Sequence, residues 1–302
     1  MPLPGVRRSI LFFPGSRPEL FPKALASGAD AVCVDLEDAV APGDKEVARK
    51  AVAELLREGR PDHVEVILRC NSLHTLAGLA DLRAMAEAGA SADAYMVPKV
   101  DGPGDLETLD GLLREAGLEG GLLPLVETAR GLATVEEIAT AVDRITGIVL
   151  GGVDLQVELG GTRSWQSLLY ARSRVVHAAA LAGVQAIDSP FMDVEALDAL
   201  REEAAAVRDL GLGGKLAIHP RQVAPIQETF TPSQDEIDGA RRIIKAYENN
   251  RQRVLLVDGK LVERPVIESS RRVLAIADAA ARRGEQPHHE NTPGQRSKPR
   301  DV

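Results

Sequence analysis

Two carboxylates, one strand–helix unit apart, are the residues of this sequence best placed to do chemistry. Glu127 follows the short apolar run Leu122–Val126, and Asp154 follows a second run, Ile148–Val153. Such runs are typical of strands buried on both faces. Consecutive parallel strands would bring both acids to the same end of one sheet, where a shared hard cation would offset the cost of burying their charges. The alternative interpretation is two unrelated helix caps or salt-bridge partners.

The types of donor favour Mg²⁺, or Mn²⁺, as that cation. Only two protein ligands are visible in the pattern, both carboxylates, without a cysteine or a well-placed histidine. Magnesium keeps several waters and takes further ligands from substrate oxygens, whereas a structural zinc site needs more protein ligands. Gly151 and Gly152, just before Asp154, either let main-chain N–H groups approach a substrate carboxylate or simply form a tight turn.

An arginine and three acids stand at the ends of other apolar runs. Arg69 comes directly after Val66–Leu68, and Asp35, Glu37 and Asp38 lie within four residues. The planar guanidinium suits bidentate binding of a carboxylate or a developing enolate, and it could also pair with one of the acids. Because three acids cannot all be isolated charges in a low dielectric, we expect at least one to pair with Arg69 or a metal-bound water.

The elements that must position these residues alternate regularly. The predicted strands are Ser9–Phe13, Ala31–Leu36, Val64–Arg69, Ala94–Pro98, Gly121–Val126, Gly147–Val153, Val184–Ile187 and Gly214–Ile218. The predicted helices between them are Glu19–Ser27, Lys45–Glu58, Leu76–Glu87, Leu106–Ala116, Leu132–Val142, Ser167–Ala182 and Val194–Leu210. Eight such units predict an α/β fold of the (β/α)8 TIM barrel type, with functional groups at the carboxyl ends of the strands. A doubly wound open sheet is the second choice, and it differs because its first and last strands do not meet.

The pattern changes after the eighth strand. A helix over Gln234–Asn249, a hairpin signal at Asp258-Gly259 and a helix over Val266–Ala281 predict a helix–hairpin–helix extension. We therefore expect a catalytic barrel over residues 1–230 and an oligomer-forming extension over residues 231–284. The polar tail, residues 285–302, is rich in Pro, Gly and His and is expected to be disordered.

The composition narrows the class of protein. The 302 residues are 44% apolar and 27% charged, as in an ordinary globular protein, and the net charge of −9 argues against nucleic acid as a ligand. Cys33 and Cys70 fall inside strand patterns, which favours buried reduced thiols in a cytoplasmic protein. No membrane-spanning run and no signal peptide is expected.

Several of these segments, in this order, resemble a known family. The matching segments are Arg8–Gly15, Asp35–Val40, Arg69–Ser72, Met96–Lys99, Glu127-Thr128, Leu150–Leu155, Leu169–Arg174 and Ile218–Pro220. They resemble the citrate lyase beta-subunit group of the HpcH/HpaI aldolase superfamily, whose relatives include malyl-CoA, β-methylmalyl-CoA and citramalyl-CoA lyases. Any one segment is a weak signal, but the ordered set is specific and covers most of the chain.

The resemblance implies a (β/α)8 barrel, usually a homotrimer or hexamer, that makes or breaks a C–C bond beside a thioester. In that family the residues matching Glu127 and Asp154 hold Mg²⁺, and the residue matching Arg69 contacts the substrate near the reacting carbon. Coenzyme A or the acyl substrate is held by the first strand–helix loop, by a nearby lysine and by the Ile-His-Pro segment.

The residues implied for that last role are Lys23 or Lys45, and His219. The sequence itself favours a plainer interpretation of His219: it ends an apolar run before a proline, as a hydrogen-bonded core histidine would.

One position departs from the family pattern. Several of the CoA lyases carry an aspartate just after the C-terminal hairpin that reaches the active site of a neighbouring subunit. The matching residue here is Glu263, in Leu261–Pro265. Glutamate can still exchange protons, but its extra methylene moves the carboxyl group, and a displacement of ~1 Å can cost ~10²-fold in rate.

The expected activity is Mg²⁺-dependent cleavage of a 3-hydroxyacyl thioester, such as a citramalyl-CoA, malyl-CoA or citryl thioester, to an acetyl thioester and a 2-oxo acid. Glu263 is the first candidate for the proton-handling acid, and Glu37 or Asp38 is the second. The thiol carrier is coenzyme A or an acyl carrier protein. The alternatives are a metal-dependent aldolase of free 2-oxo-4-hydroxy acids, a malyl-CoA-type thioesterase and a non-catalytic subunit that binds acyl thioesters.

Overall fold

Eight parallel strands form a closed barrel in which each strand pairs with the next along the chain. The computed structural model describes residues 6–58, 64–162, 164–249, 255–257 and 259–284. The barrel strands are β1 (Ser9–Pro14), β2 (Ala31–Asp35), β3 (Glu65–Arg69), β4 (Ala94–Val97), β5 (Gly121–Val126), β6 (Gly147–Leu150), β7 (Gln185–Asp188) and β8 (Gly214–Ala217).

The first and last strands close the barrel. Ser9 pairs with Lys215 and Leu11 pairs with Ala217 in a parallel register. The predicted (β/α)8 barrel is confirmed, and the open-sheet alternative is wrong.

Alternate strand residues fill the inside of the barrel. The buried interior cluster consists of Ile10, Ala31, Cys33, Ile67, Ala94, Met96, Leu123, Leu125, Val149, Ile187 and Leu216. Their outward-facing neighbours, such as Leu11, Val32 and Val34, belong to the larger cluster between barrel and helices. Because both faces of each strand are covered, the strands are mostly apolar and do not alternate with exposed polar residues, and the fully buried Lys215 of β8 is an exception.

Helices follow the strands around the barrel. They are α1 (Phe21–Leu25), α2 (Lys45–Arg57), α3 (Leu76–Ala88), α4 (Pro103–Glu115), α5 (Ala129–Ala133), α6 (Val135–Ala139), α7 (Gly152–Glu158), α8 (Trp165–Ala182), α9 (Leu197–Leu210) and α10 (Val223–Phe230). Hydroxyl side chains begin three of them: Thr75, Thr128 and Ser164 each accept a main-chain N–H from the first turn of α3, α5 and α8.

The structure corrects the elements predicted around the two carboxylates. The helix predicted over Leu132–Val142 is two short helices, since Thr134 between them leaves the helical region at φ −113° and ψ 18°. The strand predicted to reach Val153 ends at Leu150, because Gly152–Glu158 form α7. Asp154 therefore lies in the first turn of a helix and not at a strand end.

A cluster of buried charges joins β7 and β8 to the helices outside them. Asp188 and Lys215 are fully buried, and the Lys215 ammonium donates to Asp188 at 2.6 Å and to Glu203 at 2.7 Å. Arg172 donates to Asp188 at 2.9 Å and lies 4.4 Å from the centre of the Trp165 ring. Burial alone would raise the pKa of Asp188, but Lys215 and Arg172 hold it below its ordinary value. The charges compensate one another, so this cluster is a structural one.

The C-terminal extension is built as predicted. It contains α11 (Gln234–Asn249), the antiparallel pair β9 (Leu255–Val257) and β10 (Lys260–Val262), and α12 (Arg264–Gly284). Val262 and Ile267 are the buried centre of its small apolar core. An ion pair between Arg208 and Glu236 ties α11 to α9. Its role in oligomer formation stays a prediction, and the tail, residues 285–302, lies outside the described residues. Within the described ranges, no helix has both the length and the apolar character needed to cross a membrane.

Candidate active site

A cavity of about 320 Å³ opens at the carboxyl ends of the barrel strands. Its charged lining consists of Asp35, Asp38, Arg69, Glu127 and Asp154, and the rest of the wall is mainly apolar. The side chains come from the ends of β2, β3 and β5, from the loop that follows β2 and from the first turn of α7. The barrel thus brings the two predicted metal-binding carboxylates and the predicted arginine to one cavity.

Glu127 is one of the two deeply buried acids of this lining, with Asp35. It follows β5 directly and is only 3% exposed. The main-chain N–H of Lys99 donates to its Oε1 at 2.8 Å, while Oε2 lies over Gly151, where a Cβ atom would come within 2.6 Å of it. Burial, reinforced by the charges of Glu37 and Asp154, raises the pKa of Glu127 to about 8. The charged form of this carboxylate therefore needs a cation that the neighbouring side chains do not fully supply.

Asp154 lines the same cavity as Glu127 and lies in the first turn of α7. It is half-buried, and its charge is one of the causes of the raised pKa of Glu127. Gly152 holds this turn close to its neighbours, because a Cβ atom there would lie 2.7 Å from both Leu168 Cδ1 and Ser189 Oγ. The need for glycine at position 152 is thus explained by packing, and binding of a substrate carboxylate by its N–H stays a prediction.

The residues present fit a magnesium ion that is completed by water and substrate. Two carboxylates line a shared cavity, and one of them is buried with a raised pKa. Over the described ranges no group of three or more His, Cys, Asp or Glu side chains is arranged to enclose a metal. Two oxygen ligands with open space beside them are the arrangement that Mg²⁺ tolerates and that structural zinc does not.

Arg69 lies at the end of β3 and is fixed by acids. Its Nε and Nη2 donate to the two oxygens of Asp35 at 2.8 and 2.6 Å, and its Nη1 lies 2.9 Å from Oε2 of Glu37. Its guanidinium carbon is 5.0 Å from the centre of the Phe12 ring. Burial works to lower the pKa of Arg69, but Asp35 and Glu37 outweigh it and hold the pKa above its ordinary value. The guanidinium is therefore a permanent, oriented charge beside the cavity.

Glu37 and Asp38 differ in where they face. Glu37 is buried between Arg69 and Lys99, and burial raises its pKa although both cations oppose this. The geometry to Arg69 leaves Glu37 Oε2 without a well-directed hydrogen bond. Asp38 is 61% exposed at its side chain and lines the cavity. Of the two acids, Asp38 is the one within reach of a substrate.

Lys99 lies in the matching segment Met96–Lys99, but the sequence analysis assigned it no role. Besides its N–H bond to Glu127, its ammonium donates to Glu37 at 2.7 Å and lies 4.0 Å from Asp38. Its φ of 54° is positive, which is uncommon for a residue other than glycine. The available signal was its position directly after β4, in the Pro98-Lys99 pair.

The residues predicted to hold coenzyme A or the acyl group lie outside the cavity lining. Lys23 is exposed on α1. Lys45 donates to the main-chain oxygens of Leu36 and Glu37 and to Asn71 Oδ1, so all three of its ammonium hydrogens bind protein atoms. His219 is half-buried, and its Nδ1 accepts the N–H of Arg221 at the start of a short 3-10 turn. A substrate-binding role for these three residues stays a prediction, and the contacts of Lys45 favour a structural one.

Glu263 is exposed immediately before α12 and does not line the cavity of its own chain. Its main-chain oxygen accepts the N–H groups of Val266 and Ile267, which begins that helix. A catalytic role for its carboxylate would therefore require the site of a neighbouring subunit, and this stays a prediction.

Comparisons with known proteins agree with this geometry. Residues 8–220 match the family described as HpcH/HpaI aldolase/citrate lyase. The chain is 39% identical to a (3S)-malyl-CoA thioesterase of Cereibacter sphaeroides strain KD131 over 279 residues, which cover 91% of this chain and 95% of that protein. It is 34% identical to citrate lyase subunit beta of Leuconostoc mesenteroides subsp. cremoris over 286 residues, 91% of this chain and 94% of that protein.

A solved structure is similar over almost the whole chain. The CitE protein of Mycobacterium tuberculosis, in complex with magnesium, acetoacetate and coenzyme A, is 31% identical with a TM-score of 0.74. The match covers 90% of this chain and 98% of that one. Both the barrel and the family suggested by the sequence motifs are thereby confirmed. The chain belongs to the HpcH/HpaI aldolase/citrate lyase family.

Proposed function

We propose that the protein is a Mg²⁺-dependent lyase that cleaves a 3-hydroxyacyl thioester to an acetyl thioester and a 2-oxo acid. The observation that carries the proposal is the placement of Glu127 and Asp154 on a cavity that also exposes the oriented guanidinium of Arg69. Magnesium and coenzyme A in the solved relative support the metal and the thiol carrier, and an acyl carrier protein is the other carrier to consider.

Glu127 and Asp154 would hold the metal. When bound there, Mg²⁺ supplies a Lewis acid and a template for the hydroxyl and carboxylate oxygens of the substrate. A base removes the hydroxyl proton, the C–C bond breaks, and its electron pair passes to the acetyl thioester as an enolate. Arg69 lies beside the same cavity and stabilises the negative charge that develops on the enolate oxygen. A protonated acid then returns a proton to the enolate carbon.

The acid that exchanges these protons is assigned by position. Glu263 of a neighbouring subunit is the first candidate, provided that the protein forms the homotrimer or hexamer expected of the family. Within one chain the candidate is Asp38, because it lines the cavity, whereas Glu37 is occupied by Arg69 and Lys99.

The test is a product assay with two readouts. Purified protein is incubated with Mg²⁺ and racemic citramalyl-CoA, malyl-CoA or citryl-CoA, and free thiol and 2-oxo acid are measured separately. Release of oxo acid without free thiol supports the lyase. Turnover of free 2-oxo-4-hydroxy acids, with no product from any thioester, would instead identify an aldolase and refute the thioester assignment.

A thioesterase is the second candidate, and the similarity to the (3S)-malyl-CoA thioesterase favours it. In that reaction water adds to the thioester carbonyl, the thiol leaves, and the hydroxy acid is released intact. The same assay separates the two, since hydrolysis releases thiol without oxo acid. Release of neither product would favour a non-catalytic subunit that binds acyl thioesters.

A further inference from the structure

Lys99 contacts both Glu127 and Glu37, and it does so from an unusual backbone conformation. It is the one non-glycine residue with a positive φ, 54°, in the part of the chain that the structure describes. L-residues avoid this region because Cβ crowds the following carbonyl, so it persists only where the surrounding contacts enforce it. Lysine, unlike asparagine or aspartate, has no short polar side chain to favour it. The contacts of Lys99 must therefore stabilise this conformation.

The left-handed turn sends the main chain and the side chain of Lys99 to different partners. Its N–H donates to Oε1 of Glu127 at 2.8 Å, which leaves Oε2 of that carboxylate over Gly151. Its ammonium donates to Oε1 of Glu37 at 2.7 Å, and the other oxygen of Glu37 lies 2.9 Å from Nη1 of Arg69. One residue is thus connected to the proposed metal ligand directly and to the proposed enolate-binding arginine through Glu37.

The loop that begins at Lys99 is itself fastened to the loop after Glu127. Thr128 Oγ1 donates to Asp101 Oδ1 at 2.7 Å, and Thr134 Oγ1 donates to the main-chain oxygen of Asp101 at 3.1 Å. Gly131 packs so closely that a Cβ atom there would lie 2.2 Å from the Val100 oxygen. These contacts fix the position of the chain on the far side of Lys99 and leave its torsion angles little freedom.

We propose that Lys99 is a positioning residue: its N–H aims Glu127 at the metal, and its ammonium balances Glu37 so that Glu37 and Asp35 can hold Arg69 in one orientation. This inference rests on the proposed function, because it takes Glu127 as a metal ligand and Arg69 as the enolate-binding group. Lys99 does not line the cavity, so it acts through these residues and not on the substrate.

Two substitutions separate the backbone role from the charge. Lys99→Gly and Lys99→Val both remove the ammonium and keep the N–H, but only glycine adopts a positive φ easily, whereas a β-branched side chain resists it. We expect both variants to lose about tenfold in kcat, because Glu37 loses the ammonium that balances its charge and then holds Arg69 less firmly. Only Lys99→Val should also bind Mg²⁺ about tenfold more weakly, as measured by calorimetry without substrate. Lys99→Arg, which keeps a cation, should restore most of kcat.

The controls make each outcome decisive. Lys50→Val removes an exposed lysine that is paired with Glu46 on α2, and it should change neither quantity. If Lys99→Val fails to fold by circular dichroism, Lys99→Ala replaces it, since alanine also disfavours positive φ. Equal Mg²⁺ affinity in the Gly and Val (or Ala) variants would overturn the backbone role, and wild-type kcat in Lys99→Gly would overturn the charge role. Those results in an active wild type refute only this inference, whereas a wild type that neither binds Mg²⁺ nor cleaves thioesters refutes the proposed function as well.

Discussion

Asp35 accepts hydrogen bonds from Arg69 with both of its carboxylate oxygens: Arg69 Nε donates to Oδ1 at 2.8 Å, and Arg69 Nη2 donates to Oδ2 at 2.6 Å. Asp35 is fully buried and also accepts the N–H groups of Glu37 and Ala39. The plane of the guanidinium is therefore set before any substrate arrives. A donor oriented in advance stabilises developing charge without reorganising during the reaction, which is the property an enolate-forming site needs.

The first prediction concerns the shape of that cation. Arg69→Lys keeps the positive charge but cannot make two parallel hydrogen bonds to Asp35, so the charge is no longer fixed. We expect kcat for thioester cleavage to fall about 10²-fold, with a smaller change in KM. Steady-state kinetics at saturating Mg²⁺ measure both. A lysine variant with the kcat of the wild type would show that orientation of the guanidinium is not required.

The second prediction links metal binding to pH. Burial raises the pKa of Glu127 to about 8 in the metal-free chain, so Mg²⁺ must displace a proton below that pH. The sign follows: the association constant should rise with pH, by up to about tenfold per unit where Glu127 is protonated, and level off above about pH 8. Calorimetric titrations at several pH values, in buffers of different ionisation enthalpy, would also count the released proton. A constant affinity between about pH 6 and pH 8 would contradict the assignment of Glu127 as a ligand with a raised pKa.

The third prediction uses the close contact beneath Glu127. A Cβ atom at Gly151 would lie 2.3 Å from Glu127 Cβ. Because a Cβ atom is attached to the main chain, Glu127 Cβ can move away only if the backbone at the end of β5 moves with it. Gly151→Ala should therefore displace the carboxylate and lower Mg²⁺-dependent activity by about 10²-fold. Gly111→Ala in α4 is the matched control, since a Cβ atom there meets nothing within 4 Å. Full activity in Gly151→Ala would mean that Glu127 need not occupy this position.

The fourth prediction tests whether the site is shared between subunits. Glu263 is exposed and outside the cavity of its own chain, so Glu263→Gln should be inactive only if its carboxylate enters a neighbouring site. Mixing inactive Glu263→Gln with inactive Arg69→Ala chains should then restore part of the activity, because some sites receive both intact residues. Two affinity tags that co-purify would prove that chains exchange. Exchange without recovered activity, or an active Glu263→Gln variant, would remove Glu263 from the mechanism.

The barrel and its main charged groups were predictable because their signals are local. Apolar runs that end in Glu127 and Arg69 mark strands and their carboxyl ends, and the (β/α)8 pattern turns those ends into neighbours. Asp154 was placed at the correct rim but on the wrong element, since a glycine pair before an acid does not distinguish the end of a strand from the start of a short helix such as α7.

The contacts between loops could not be predicted from the sequence. The positive φ of Lys99 goes with contacts to Glu37 and Glu127, which follow β2 and β5, and it has no local signature in the sequence. Lys45 is a second case: the family resemblance implied a substrate-binding role for Lys23 or Lys45, which stays a prediction, and only the structure reveals that the Lys45 ammonium donates to three protein oxygens. Side chains whose partners are distant in sequence need the structure to separate a binding role from a structural one.

The most direct test of the central claim compares the wild type with Glu127→Gln, which keeps the size of the side chain and removes its charge. Release of 2-oxo acid from a 3-hydroxyacyl-CoA is followed while Mg²⁺ is titrated after EDTA treatment. We expect saturable Mg²⁺-dependent release in the wild type and a rate lower by about 10²-fold or more in the variant, with unchanged circular dichroism. Equal oxo acid release by both proteins, or release that survives EDTA, would contradict a magnesium-dependent lyase built on Glu127.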